Sequence, residues 1–249
     1  MQLHPLAAGF ADATEAYERG RPEYAPAVVG ALAAELGLPA GAPVLDLAAG
    51  TGKLTRALLA FGLDVVAVEP QAELRALLAE HVGPERVREG VAESIPLPDA
   101  SVAAVTVADA FHWFDQAAAL AEIRRVLRPG GGLAVVFCMR DWSGAPWADG
   151  LGRLMSDLRP AHPGVDGPPW QESLRAAPGW GAPRDVRVTV SQRVSVEQLV
   201  AYVASISWIG ALPAQRRAEV LARAEQLVRA GETPPAMPVH VSIGLASRT

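Results

Sequence analysis

Between Pro43 and Met139, short and almost wholly apolar runs alternate with stretches whose apolar residues recur at helical spacing. PVLDLA, DVVAVE, RVREG, SVAAVTVAD and GLAVVFCM read as five strands. Leu54, Ala57, Leu58 and Phe61 follow the helical period, as do Leu74, Leu77, Leu78 and His81, and then Leu120, Ile123 and Leu127. Gly62, the Gly83-Pro84 pair and the RPGG run read as their stops. A strand that is apolar at nearly every position is buried on both faces, and helices between strands supply the two covering layers. The pattern therefore predicts an α/β chain with a mainly parallel sheet.

The flanks read differently. Ala25 to Leu36 has helical character, with Pro26 in the first turn. Trp142 to Gly181 is rich in Pro, Gly and Trp, with a helix expected near Trp147 to Leu158. DVRVTVSQ alternates as a strand should, Ser195 to Ser205 and Pro213 to Ala230 read as helices, and PVHVSIGLA reads as a last strand. At 249 residues, half of them apolar, the chain suits one good-sized domain, with the Trp-rich stretch as an inserted cap.

The turn after the first strand, AAGTGKLT, carries the first chemical signal. A strand that bends sharply into a helix, with a ligand close to its backbone, favours residues without a Cβ, here Gly50 and Gly52. The following helix directs free N–H groups and a positive dipole end at that place. A dinucleotide fingerprint would have Gly or Ala where Thr55 stands, and a phosphate loop would need Ser or Thr after Lys53, where Leu54 stands. Glu69 ends the second strand, 17 residues after Gly52, where an acid can accept both hydroxyls of a ribose. The alternative is a solvated carboxylate at a strand end. Asp46, inside the first strand, is costly to bury unless bonded. It can fix the turn, hold a cationic ligand, or do both.

VLDLAAGTGKLT, VAVEP, GVAESIPLPDASVAAVTVADAFHWFD and EIRRVLRPGGGLAVV together resemble the class I S-adenosylmethionine-dependent methyltransferases. They come closest to the small-molecule branch that includes the ubiquinone/menaquinone-type enzymes. The resemblance covers Val44 to Val136 in order, and ERGRPEYAP before it also fits. It implies a Rossmann-like sheet of seven strands, helices on both faces and the last strand antiparallel, in a single domain over 1–249. Residues 1–40 would form N-terminal lid helices, 43–139 the cofactor-binding core, 141–182 the cap insert between strands five and six, and 185–249 the rest of the sheet. The implied cofactor is S-adenosylmethionine. By this resemblance Ala48, Gly50, Thr51 and Gly52 serve its methionine and ribose side, and Glu69 with Pro70 the ribose. Ala92 and Glu93 fall at the adenine, and Asp109 and Ala110 beside the sulfonium. Tyr17 and Arg21 fall at the methionine end, where a guanidinium can pair with the carboxylate; Arg21 on the surface is the alternative. Val91 stands where many relatives carry Asp, so Glu93 or a backbone carbonyl takes that contact.

Methyl transfer from a sulfonium needs alignment and exclusion of water, and a base only if the acceptor must lose a proton. His112 in AFHWFD is the candidate base; as a packing residue it would shape the pocket instead. His4, His81, His162 and His240 show no metal-ligand spacing, so no metal is expected. Trp142, Trp147, Trp170, Trp180 and Trp208 can line an apolar acceptor pocket or form the cap's core. Cys138 is the only cysteine and reads as a buried thiol, which fits a reducing compartment. A net charge of -5 argues against a general nucleic-acid binder. No apolar run approaches the ~18 residues of a membrane span, and no signal peptide is evident. The expectation is a cytoplasmic methyltransferase with a small-molecule acceptor. A non-catalytic cofactor-binding protein and a nicotinamide oxidoreductase are the competing readings.

Overall fold

The computed structural model describes residues 13–231 and 236–249; His4 falls outside them. Seven strands form one sheet: β1 Pro43–Leu47, β2 Asp64–Val68, β3 Val87–Arg88, β4 Val102–Ala108, β5 Leu127–Arg140, β6 Arg184–Arg193 and β7 Ala236–Ser247, in the spatial order β3-β2-β1-β4-β5-β7-β6. The first five pair in parallel, with Asp46 of β1 level with Ala67 of β2 and with Thr106 of β4. β7 runs antiparallel to β5: the Arg248 N–H donates to Gly131 O near one end of β5, and Asp141 N–H to Pro238 O beyond the other. This is the Rossmann-like architecture expected from the sequence, antiparallel last strand included.

The helices, in chain order, are α1 Thr14–Gly20, α2 Pro26–Leu36, α3 Lys53–Ala60, α4 Ala72–Val82, α5 Gln116–Val126, α6 Pro146–Asp157, α7 Pro163–Asp166, α8 Trp170–Ala176, α9 Val196–Ala204, α10 Ser207–Gly210 and α11 Ala214–Arg229. The RPGG run, expected as a break between helix and strand, lies inside β5. The helix stops at Val126 and the strand begins at once. Glycine permits this. A Cβ at Gly131 would stand 2.8 Å from Ala103 O, and one at Gly132 would stand 2.5 Å from Leu36 Cδ2. Gly130 takes φ +77°, and the pairing with β4 slips in register between Val102 and Ala104. The strand therefore crosses close to its neighbour before settling into the regular ladder.

The chain gathers into two compact units. The sheet unit comprises Glu23–Cys138, Pro163–Val188 and Val241–Thr249. Its core holds Leu45, Leu47, Val105, Val107, Leu133 and Val135 from the central strands against Phe111, Leu120, Ile123, Trp170 and Leu174. The helical unit comprises, of the described residues, 13–22, Met139–His162, and 189–231 with 236–240. Its core joins Trp147, Leu151 and Met155 of α6 to Leu199 and Val203 of α9 and Val220, Ala224 and Val228 of α11. Helix α9 starts with a reciprocal cap: the Gln198 N–H donates to Ser195 Oγ (3.2 Å) and the Ser195 N–H to Gln198 Oε1 (3.0 Å). The end of α1 meets α9 so closely that a Cβ on Gly20 would overlap the backbone at Tyr202. Among the described residues, no helix is long and apolar enough to cross a membrane, and no group of three metal-ligating side chains occurs.

Candidate active site

In a parallel sheet, ligands bind beyond the carboxyl ends of the strands, where the strand order reverses. Here that place is between β1 and β4. Among the described residues, two of the three non-glycine residues with positive φ sit there: Ala48 (φ +55°) just after β1 and Asp109 (φ +50°) just after β4. Gly50 (φ +59°) and Gly52 (φ +86°) share the turn with Ala48. A left-handed alanine costs about 1 kcal/mol or more, so surrounding bonds must hold it. The Ala49 N–H donates to Val68 O (3.1 Å), the Gly52 N–H to Ala49 O (3.0 Å) and the Asp109 N–H to Val136 O (2.8 Å). A Cβ on Gly52 would stand 2.5 Å from Leu78 Cδ1, whereas one on Gly50 would meet nothing within 4 Å. Gly52 packs under Leu78 in a left-handed conformation that favours glycine, and Gly50 borders open space.

Glu69 meets this turn directly. Its Oε2 accepts the Gly50 N–H at 2.8 Å and its Oε1 accepts the Gln71 N–H at 2.9 Å. The side chain is buried, which pushes its carboxyl up to about 6, against the pull of the two amides and of Arg75; the charge of Asp46 pushes it further up. A carboxylate has about four lone-pair positions, so two stay open. The Arg75 guanidinium fixes the backbone behind it, donating to Glu69 O (3.1 Å) and Pro70 O (2.8 Å). Thr51 is fully buried, and its Oγ1 has no hydrogen-bond partner.

Asp46 is almost fully buried, and burial pushes its carboxyl up to about 6 as well. Oδ2 accepts the Thr55 hydroxyl at 2.6 Å and Oδ1 the Thr106 hydroxyl at 2.9 Å, both of which favour the ionised form. Lys53, also buried, pairs with Glu23. Arg56 donates to Thr51 O at 3.2 Å.

The remaining expected residues fall as follows. Ala92 is buried in the core with Val68 and Phe111. Glu93 accepts the Asp115 N–H at 2.8 Å, which holds the residue that caps α5. Asp109 Oδ1 accepts the amide of the buried Cys138 (3.1 Å), and Ala110 packs on the core. His112 lies in the short helical turn Phe111–Trp113, its ring 4.5 Å from that of Trp113. A Cβ on Gly164 would stand 3.0 Å from the same imidazole. The sheet unit thus brings together Asp46, Ala48, Gly50, Thr51, Gly52, Glu69 and Pro70. Tyr17 and Arg21 belong to the helical unit. There Arg21 Nε donates to Ser205 Oγ (2.9 Å), and the guanidinium lies 5.3 Å and 5.0 Å from the Tyr17 and Tyr202 ring centroids. The tryptophans are packed side chains: Trp170 edge-on to Phe111 (6.2 Å), Trp142 against Tyr202 (5.1 Å), and Trp208 donating to Met155 O (3.0 Å).

A methyltransferase-domain family model matches residues 45–135. An uncharacterized methyltransferase of Mycobacterium tuberculosis is 40% identical over 224 residues, which is 90% of this chain and 86% of that relative. The chain belongs to the class I S-adenosylmethionine-dependent methyltransferases. An uncharacterized methyltransferase of Schizosaccharomyces pombe is 31% identical over 216 residues, 86% of this methyltransferase and 84% of the relative. A solved structure from Anaeromyxobacter dehalogenans, titled as a candidate type II methyltransferase, matches with a TM-score of 0.63 at 27% identity. It covers 92% of this methyltransferase and 97% of its own chain.

Sequence reasoning missed Thr55 and Thr106 as partners of Asp46. A signal was available: Thr106 is the one polar residue in the VAAVTVA strand, level with the one charge of β1. It also missed the Lys53–Glu23 pair and the Arg75 clamp, for which spacing along the chain offers none.

Proposed function

We propose that this methyltransferase transfers a methyl group from S-adenosylmethionine to a small molecule. The observation that carries the cofactor is the Glu69 carboxylate: each oxygen holds one backbone N–H and keeps a lone pair, beside a Gly50 that borders open space. A vicinal diol matches two acceptor positions on one buried carboxylate. The orphaned Thr51 hydroxyl adds a further polar contact at the same turn. Bound there, the cofactor supplies a methyl carbon on a sulfonium, open to in-line displacement.

Glu69 and Pro70 hold the ribose, while Ala48, Gly50, Thr51 and Gly52 line the turn around it and Asp46 fixes that turn. Because Ala92 is in the core and Glu93 is bonded to Asp115, these two offer backbone groups to the adenine. Asp109 and Ala110 flank the reacting centre. With a hydroxyl acceptor, His112 would act as the base that takes the acceptor's proton, and the residues of the glycine turn would hold the cofactor that supplies the methyl group. With a carbon or nitrogen acceptor that needs no prior deprotonation, His112 shapes the pocket instead. The negative net charge and the single buried thiol support a small-molecule acceptor and a cytoplasmic setting.

The test is incubation with methyl-deuterated S-adenosylmethionine and a cell extract, followed by mass spectrometry of separate small-molecule, protein and nucleic-acid fractions. Label in a small molecule, with stoichiometric S-adenosylhomocysteine, is expected. Label confined to protein or nucleic acid overturns the acceptor class. No binding of S-adenosylhomocysteine overturns the cofactor assignment.

A further inference from the structure

Asp46 is a buried acid with an unusual set of partners. Its oxygens accept two threonine hydroxyls, Thr55 Oγ1 at 2.6 Å and Thr106 Oγ1 at 2.9 Å, and the Thr55 amide bonds to it as well. These partners come from different elements: Thr55 from the first turn of α3, Thr106 from the middle of β4. Asp46 itself stands two residues before Ala48, where the glycine turn begins, and Thr55 stands three residues after Gly52, where it ends. One carboxylate therefore closes the neck of the turn and ties it to the next strand. Thr106 could give its single hydrogen only to Leu45 O instead, at a poorer 3.4 Å. An apolar pair would fill the same space without the cost of a buried charge, so packing alone does not explain the cluster.

Thr55 also fills the place where a dinucleotide-binding turn keeps a small residue. In this chain the position carries a hydroxyl, and the hydroxyl is in use. The turn in turn presents the Gly50 N–H to Glu69.

We infer that Thr55 and Thr106 are positioning residues for cofactor binding: through Asp46 they set the glycine turn so that Gly50 and Glu69 together present the ribose site. The inference rests on the cofactor reading above. Both threonines are fully buried with their hydroxyls on Asp46, so each acts through the carboxylate it holds.

The experiment is calorimetric titration of the full chain with S-adenosylhomocysteine, with thermal melts of every variant. Thr55→Val keeps the β-branched shape and removes the hydroxyl. It is expected to weaken binding tenfold or more, while Thr55→Ser stays within about threefold of the unaltered chain. Thr106→Val is expected to act in the same direction and stands in if Thr55→Val fails to fold. A double-mutant cycle supplies the readout that a merely structural role would not move. If Thr55 works by way of the Glu69 site, Thr55→Val costs much less affinity in a Glu69→Gln background than alone. Full additivity, or a folded Thr55→Val that binds like the unaltered chain, overturns the inference and leaves the cofactor reading standing. Failure of the unaltered chain to bind the thioether overturns both.

Discussion

Replacing Glu69 with alanine tests the site at its centre. In the structure each carboxylate oxygen accepts one backbone N–H, at 2.8 and 2.9 Å, and the proposed reading gives each oxygen's remaining lone pair to a ribose hydroxyl. A hydrogen bond to a charged group contributes about 1.5–3 kcal/mol net. Losing two such bonds predicts a loss of about 3–6 kcal/mol, or roughly 10²- to 10⁴-fold in Kd for S-adenosylhomocysteine. The fold should tolerate the change. Burial raises this carboxyl from 4.5 to about 6, so at pH 8 keeping it ionised costs the folded chain about 2 kcal/mol. That value already counts the two amide bonds, so removing the carboxyl relieves a net cost, set against two backbone N–H groups left to water in the emptied site. Glu69→Gln keeps the shape but sets an NH2 group against a backbone donor, and should fall between the two. Titration calorimetry at pH 8 reads the affinities, and a melt confirms folding. Acidification below about pH 6 should weaken binding to the unaltered chain, and do so less steeply in Glu69→Ala. An alanine variant that melts like the unaltered chain and binds within threefold of it would refute the ribose assignment.

Two further outcomes follow from the geometry. The folded-state value of about 6 for Asp46 lies above its ordinary 3.8, so its stabilising share is complete below about pH 4 and is lost as pH rises through 6. In urea unfolding without cofactor, the advantage of the unaltered chain over Asp46→Asn should shrink by about 2.5 kcal/mol between pH 4 and pH 8; a constant difference would show that Asp46 titrates normally. Gly20→Ala would drive a Cβ into the backbone of α9 at Tyr202. An overpacking cost of about 3 kcal/mol lowers Tm by roughly 6–12 °C at this chain length, and an unchanged Tm would mean that α1 and α9 do not meet as described.

The parallel core was legible because its strands are buried on both faces, so apolar runs such as VAAVTVA mark them without ambiguity. The glycine turn and Glu69 were legible for a similar reason: few residue types satisfy a left-handed turn and an acid at a strand end. What escaped the sequence were contacts between polar residues far apart in the chain. Thr106 reaches Asp46 across 60 positions, and Glu93 meets the Asp115 amide across 22; neither has a local pattern. The RPGG run misled in the opposite way. Its residues are strong breakers in isolation, but here glycine lets β5 pass close to Ala103 and Leu36. In the helical unit, spacing identified the helices but not which faces would meet, so the seating of Arg21 on Ser205 and Tyr202 was invisible.

The sheet order has a consequence for how the chain is made. β5 lies between β4 and β7, and β7 is the last strand in chain order. On a ribosome, β4 can pair with β5 as soon as both have emerged, but the other edge of β5 must wait for β7. At roughly 5–20 residues per second, the ~100 residues between Arg140 and Ala236 take on the order of 5–20 s. Throughout that interval an apolar edge, Leu133 to Val136, stays open to any other nascent chain that offers a strand. Soluble yield should therefore depend more on translation speed and chaperone supply than the stability of the finished fold would suggest.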